Sequence, residues 1–370
     1  MPVAGDADVR RDLVARLVEH VGVMCPTGDE GPIADAVERR YADADVTRVG
    51  HSVLVRGPVS DRPLVLLVGH LDVVAPTDAD REPRVEDRDG VEVVVGRGTS
   101  DMKAGNVVAM RLFEEHAGRD DRWADLALVL YAGEEGPDEG NELVQVLDRV
   151  VWVRDADLAV VLEPTDGEVQ LGCLGGLHAT LTIHGRQAHS ARPWHGENAL
   201  TKAGRFLAAF HDRAPVDVQV DGIPYRDVWS LTQASTANGR NVVPGALTLN
   251  LNLRFAPSRS LAEAEAELRR TVAEVAAATG AGDVAVEVVD RSAPAPPHAD
   301  DPVVARFVDA VGATVAGKQA WTDVARLAAA DVPGCNYGPG RTDQAHQRGE
   351  YVEVDAIVDA HERLGRFLRG

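Results

Sequence analysis

The chain has 370 residues, 45% of them hydrophobic, with three cysteines and a net charge of −21. That length supports a large core and two domains, and no apolar run reaches the ~18 residues of a membrane helix. The acidity argues against nucleic acid or an anionic membrane as partner, because phosphate contacts need clustered Lys and Arg. Its simplest use is solubility; an anionic small substrate would need local arginines to overcome the global field.

The amino-terminal segment MPVAGDADVRRDLVARLVEHV mixes charges with periodic apolar residues and lacks the apolar stretch of a secretory signal. It reads as a surface helix with Leu13, Leu17 and Val21 on one face. Cys25, Cys173 and Cys335 are odd in number and far apart, which predicts neither a disulfide framework nor a cysteine zinc site. A reducing cytoplasm is the simplest setting.

From residue 8 to about 165, strands alternate with helices, as in an α/β layered domain. Three apolar runs, at 64–68 (LVLLV), 126–131 (LALVLY) and 158–162 (LAVVL), read as buried strands of a parallel sheet. Residues 104–117 and 141–151 are predicted helices. The glycine-rich joint 172–176 (GCLGG) changes the pattern. Residues 177–184 then alternate apolar and polar, a helix follows over 198–213, and 246–254 alternate again. A second helix is expected at 260–278 and a closing strand at 283–289. This is the split βαβ, or ferredoxin-like, arrangement. The proline-rich 292–297 (SAPAPP) reads as the return linker. Residues 302–315 read as a helix, 332–337 as a core strand and 355–368 as a final helix. The expected fold is α/β: a three-layer domain with a mixed, mostly parallel sheet (1–175 and 292–370), interrupted by a ferredoxin-like α+β insertion (176–291).

Each of the three apolar runs delivers acidic or histidine side chains to the rim where α/β sheets gather their ligands. His70 and Asp72 follow the first. In extended backbone they point the same way, so one can bind a metal while the other orients it; a surface histidine beside a turn aspartate reads equally well. Glu134 and Glu135 follow the second, and adjacent ionised carboxylates repel unless a cation or shared proton neutralises them. One can hold a metal while the other shuttles protons, or both can be solvated in an acidic loop. Asp101, before the 104–117 helix, taken alone reads as a helix cap. Glu163 and His346 complete the set, and His346 by itself reads as a surface residue.

The motifs GHLDVV, GRGTSDMKAG, YAGEEG, LEPT and GPG…AH, in this order, resemble the zinc-dependent aminoacylase and carboxypeptidase family, which includes deacylases and dipeptidases. Within it, the segments around 188–198, 221–227, 241–244, 254–259 and 321–326 resemble actinobacterial succinyl-diaminopimelate desuccinylases. The resemblance implies two Zn²⁺ per chain, one of them replaceable by Co²⁺ or Mn²⁺, bridged by Asp101. His70 and Glu163 would complete one site, Glu135 and His346 the other, with Asp72 fixing the His70 ring and Glu134 as general base. It also implies that the insertion is a lid and dimerisation domain. From it His189 would serve the partner subunit's oxyanion, Arg254 a substrate carboxylate, and Asn241 the lid hinge or the substrate. Without the resemblance His189 reads as a strand-end surface histidine, and Arg254 equally as a surface ion-pair residue.

Two departures stand out. The segment 73–100 lacks the aromatic residues common there in relatives. Cys173 and Gly176 stand where desuccinylases outside the actinobacteria place substrate-binding Arg and Ser. The implied activity is release of succinate from N-succinyl-L,L-2,6-diaminopimelate, a small anionic acyl-amino acid, by a cytoplasmic homodimer in lysine biosynthesis. The alternatives are another deacylase or dipeptidase of the family, such as an acetylornithine deacetylase, or a silent relative that only binds acyl amino acids. A nucleic-acid role for the ferredoxin-like insertion is opposed by charge and by missing aromatic platforms.

Overall fold

Fully apolar segments need burial on both faces, and the sheet that carries them is built accordingly. The computed structural model describes residues 6–369, so residues 1–5 of the amino-terminal segment and residue 370 lie outside it. The chain divides into two compact units. The first takes the chain up to Gly172, His298–Ala316 and everything from Arg326; the second is Cys173–Pro297 with Gly317–Ala325.

In the first unit, an eight-stranded sheet runs in the order Asp45–Val49, Ser52–Arg56, Asp125–Tyr131, Leu64–His70, Leu158–Pro164, Gly334–Gly338, Val169–Leu171, Val315–Gly317. The four central strands are parallel, and antiparallel partners flank them. Every residue of Asp125–Tyr131 and Leu158–Pro164 is buried, as the apolar runs 126–131 and 158–162 within them demand. In the parallel register His70 lies opposite Tyr131, so the carboxyl ends of these neighbours finish level.

The helix Ala104–His116 packs on the central strands and against Asp6–Gly22 and Val354–Arg369. Leu13, Leu17 and Val21 form the buried face of the first of these. Gly105 sets how near the central helix comes: a Cβ there would lie 2.2 Å from the Leu162 carbonyl oxygen. The absent side chain lets the helix rest on the strand immediately before Glu163. Expected over 141–151, a helix is shorter than the sequence implied, Leu143–Arg149, and a 3₁₀ turn Val151–Asp155 follows it.

The second unit has an antiparallel sheet ordered Val216–Val220, Ile223–Ser235, Ala246–Phe255, Gly175–His184, Val284–Ser292. Setting aside the added hairpin strand Val216–Val220, this is the ferredoxin-like order expected of a split βαβ. Leu177, Ala179, Leu181 and Ile183 face a core with Phe206, Leu268 and Val272. The helix expected over 198–213 is two pieces, Ala199–Lys202 and Gly204–His211. Asn198 caps the first through the amides of Leu200 and Thr201, and Ser260 with Glu263 forms a capping box on Leu261–Thr279. The strand Ile223–Ser235 was not foreseen as an element, because its second half is largely exposed and polar and gives no apolar run to read.

One buried histidine in the helix Asp6–Gly22 sets an acid limit on this fold. Burial, helped by the nearby Lys103 and Arg40 charges, pushes the His20 pKa down to about 3. The unfolded chain therefore binds a proton below its ordinary value of 6.5 that the folded chain refuses until about 3, so stability falls with pH across that window. At 1.36 kcal/mol per unit, the loss by pH 5 is about 2 kcal/mol. Urea unfolding at pH 7.5 and pH 5 should show His20→Gln losing about 2 kcal/mol less than the unaltered chain; equal losses would refute the assignment.

Candidate metal centre

Level strand ends bring the acidic clusters together. His70 is the last residue of Leu64–His70, the strand that lies between Asp125–Tyr131, which leads to Glu134 and Glu135, and Leu158–Pro164, which contains Glu163. Asp101 enters from the kinked turn Thr99–Lys103. The helix after it has no side-chain cap, so the cap reading of Asp101 is not realised. His346 comes from the loop after the 3₁₀ turn Thr342–Gln344, with φ of 62°.

The groups His70–Asp101–Glu163 and Asp101–Glu135–His346 each hold their donor atoms within 4.8 Å of one another. Asp101 faces both ways. Its Oδ1 is 3.0 Å from His70 Nε2, and its Oδ2 is 3.6 Å from His346 Nε2. His346 Nε2 also lies 2.8 Å from Glu135 Oε2, and His70 Nε2 lies 3.8 Å from Glu163 Oε1.

The electrostatics test whether these residues fit a cation. Burial, then the neighbouring Asp101 charge, pushes Glu135 up to about 8. Burial alone would lower His70, but its hydrogen bond to Asp101 and the charges of Glu134, Asp101 and Glu163 hold it well above the ordinary histidine value. The acidic neighbours raise both groups, adding to burial at Glu135 and opposing it at His70, so the cluster favours positive charge. Three carboxylates and two imidazoles without a thiol are donors suited to a divalent ion such as zinc in an open, catalytic site. The residues fit the group.

Asp72 touches both the His70 ring and the turn that bears the two glutamates. His70 Nδ1 lies 3.0 Å from the main-chain oxygen of Asp72 and 3.7 Å from its carboxylate, so the peptide carbonyl orients the ring. The fully buried carboxylate also accepts from the amides of Glu134 and Glu135, both at 3.0 Å, and from the Thr27 hydroxyl. A carboxylate next to three donors saturates them, which fixes the turn that presents both glutamates. Gly133 makes that turn possible: with φ of 80°, it leaves no space for a side chain beside the Gly140 carbonyl.

In the second unit, His189 lies on the two-stranded ribbon formed by Ala188–His189 and Val242–Val243. The Asn241 carbonyl accepts from the Ser190 amide, so His189 and Asn241 share one end of that ribbon. His189 Nδ1 accepts from the Ala191 amide, which leaves the exposed ring its Nε2–H as donor. Arg254 lies opposite Gly176 on the sheet, and a Cβ at Gly176 would meet its Nη1 at 2.9 Å. The glycine lets the guanidinium lie across the neighbouring strand. Among the described residues Arg254 has no ion-pair partner. His178 is half-buried between Asn250 and Asn252. A second set of residues escaped the sequence reading: the buried Asp80, Arg97 and Glu350 beneath the Asp101 turn. Arg97 and Glu350 stand 253 positions apart, and no local pattern links them.

Residues 66–370 match the description Peptidase family M20/M25/M40. The succinyl-diaminopimelate desuccinylase of Corynebacterium glutamicum (strain ATCC 13032) is 34% identical over 98% of this chain and 97% of its own. Among solved structures, the aminopeptidase PepT of Bacillus cereus superposes with a TM-score of 0.72 at 19% identity, covering 97% of this chain and 98% of that one. The Bacillus subtilis YXEP protein, a dinuclear metal-binding peptidase of the M20 family, gives 0.66 at 13% identity over 98% of both chains. At these identities the two structures establish a shared fold.

The turn held by Asp72 yields a test. Asp72→Asn replaces an acceptor with an NH₂ that faces amide donors. It should cost about 1–3 kcal/mol of stability and weaken divalent-cation binding roughly 10–100-fold. Urea unfolding and isothermal titration with Zn²⁺ read the two effects, and unchanged Zn²⁺ affinity would show that the turn does not depend on this carboxylate.

Proposed function

The chain belongs to Peptidase family M20/M25/M40 and is a metal-dependent enzyme that hydrolyses a linear amide; on that premise we propose that it cleaves N-succinyl-L,L-2,6-diaminopimelate to succinate and L,L-diaminopimelate. The observation that carries this reading is the full-length likeness to the corynebacterial desuccinylase. We place the reaction in lysine biosynthesis and in the cytoplasm.

Two Zn²⁺ ions would be held by His70, Asp101 and Glu163 on one side and by Asp101, Glu135 and His346 on the other. When bound, they supply Lewis-acid polarisation of the scissile carbonyl and acidify the attacking water. Glu134 is the general base. It accepts a proton from that water and returns it to the leaving nitrogen as the C–N bond breaks, so that water is consumed and an amine and a carboxylate are released. The backbone amide of Glu134 is pinned by Asp72, which fixes where that base sits. Glu135, one residue on, is spent as a ligand, and this divides two adjacent glutamates into separate tasks.

The second unit acts in this reading as lid and dimerisation domain. His189 donates from Nε2 to the developing oxyanion of the partner subunit's substrate. Arg254 binds a substrate carboxylate through its fork of N–H donors, and Asn241, at the same ribbon end as His189, shapes the approach.

Three measurements test the assignment. Purified enzyme should contain two Zn²⁺ per chain and lose activity on chelation; active enzyme free of metal would sink the two-metal reading. Glu134→Ala should lower kcat by about 10²–10⁴-fold while retaining its metal, and near-normal turnover would remove Glu134 as base. Comparison of kcat/KM for succinyl-diaminopimelate, acetylornithine and simple dipeptides should favour the first. Preference for either of the others would reassign the substrate within the family.

A further inference from the structure

Asp101 faces both histidines and belongs to both candidate ligand groups, so its position bears on whether two cation sites or one can form. The turn that bears it is held from below by Glu350, a carboxylate 1% exposed. Glu350 Oε1 accepts from the amides of Ser100 at 2.8 Å and Asp101 at 3.0 Å. Its Oε2 accepts from the Gly98 amide at 3.0 Å and from Arg97 Nη1 at 2.9 Å. The Gly96 amide donates to the main-chain oxygen of Glu350. Three amides of the turn 98–101, those of Gly98, Ser100 and Asp101, thus converge on one side chain, and its charge is balanced by a guanidinium 2% exposed.

The same residue is also tied to the loop of His346. Arg97 Nη2 donates to the Gln347 carbonyl at 3.2 Å and to Asp80 Oδ2 at 3.1 Å, and Asp80 in turn accepts from the Gly349 amide at 2.8 Å. Residues 346–350 and 98–101 are therefore fastened to each other through a buried Asp80–Arg97–Glu350 set. His70 and Glu163, by contrast, are placed by the strands themselves.

We infer that Glu350 is a positioning residue for the metal centre: it fixes Asp101 against His346 and so creates the Asp101–Glu135–His346 site, while the His70–Asp101–Glu163 site leans on the sheet. The inference rests on the two-metal reading above. A glutamine cannot substitute, because two of its four contacts would face an NH₂ against N–H donors.

The test is isothermal titration of metal-free enzyme with Zn²⁺ alone, with melting temperature and near-ultraviolet circular dichroism as checks of folding. The unaltered chain should bind two equivalents. Glu350→Gln should keep one equivalent and weaken the other about 10–100-fold, whereas Asp80→Asn, which disturbs the same buried set without removing the acceptor of the turn amides, should lower the melting temperature and keep both. If Glu350→Gln does not fold, Glu350→Asp takes its place. Its carboxylate, one methylene short, should weaken one equivalent, and wild-type affinity for both in a folded Glu350→Asp overturns the inference. Two wild-type affinities in Glu350→Gln overturn it as well. So does an equal loss in Asp80→Asn, which would make the effect one of general packing. An unaltered chain that binds no Zn²⁺ fails the two-metal reading itself and the inference with it.

Discussion

Carboxylates brought within a few ångströms of one another at the buried end of a sheet repel, and the repulsion grows as water is withdrawn. The first unit is organised around that constraint. Glu135 is driven towards its protonated form by burial and then by Asp101, and His70 towards its charged one by its acidic neighbours. A divalent cation relieves the excess of negative charge more completely than scattered protons do. Burial, which would be a defect for acidic side chains with no ligand, becomes the source of the site's appetite for metal.

The remaining structure supplies rigidity. The parallel strands bring His70 and Glu163 level, and the close seat of the helix at Gly105 braces the strand that carries Glu163. Where a candidate site residue comes from a turn, a buried carboxylate collects the backbone amides of that turn: Asp72 beneath Glu134 and Glu135, Glu350 beneath Asp101. Two unrelated turns thus use one device, an anion that gathers N–H groups and in doing so fixes a second anion above it. The cost of burying each is offset by hydrogen bonds to charged acceptors, which are stronger than neutral ones.

Legibility from sequence followed the range of the forces involved. Buried parallel strands announced themselves as apolar runs at 64–68, 126–131 and 158–162, and the alternation at 177–184 gave a one-faced strand. Residues with a local signature, such as Glu134 beside Glu135, could be weighed on their own. Asp101 and His346 could not, because their neighbours in space lie far off in sequence; only the ordered motifs joined them. The strand Ile223–Ser235 has too little apolar character to be read from sequence, and the contact of the Asp72 main-chain oxygen with the His70 ring has no signature there either. Glu350 and Arg97 left no trace at all, since a lone Glu and a lone Arg in different segments are indistinguishable from surface residues until the fold pairs them.

That pairing also has a temporal meaning. Arg97 and Glu350 are 253 positions apart, so during synthesis from the amino terminus the turn of Asp101 emerges long before the carboxylate that holds it. At about 5–20 residues per second, the nascent chain carries His70, Asp101, Glu135 and Glu163 for many seconds without the clamp. Residues 346–350 complete it, the same stretch that delivers His346. A chain that stops before residue 346 therefore lacks both the clamp of the Asp101 turn and His346.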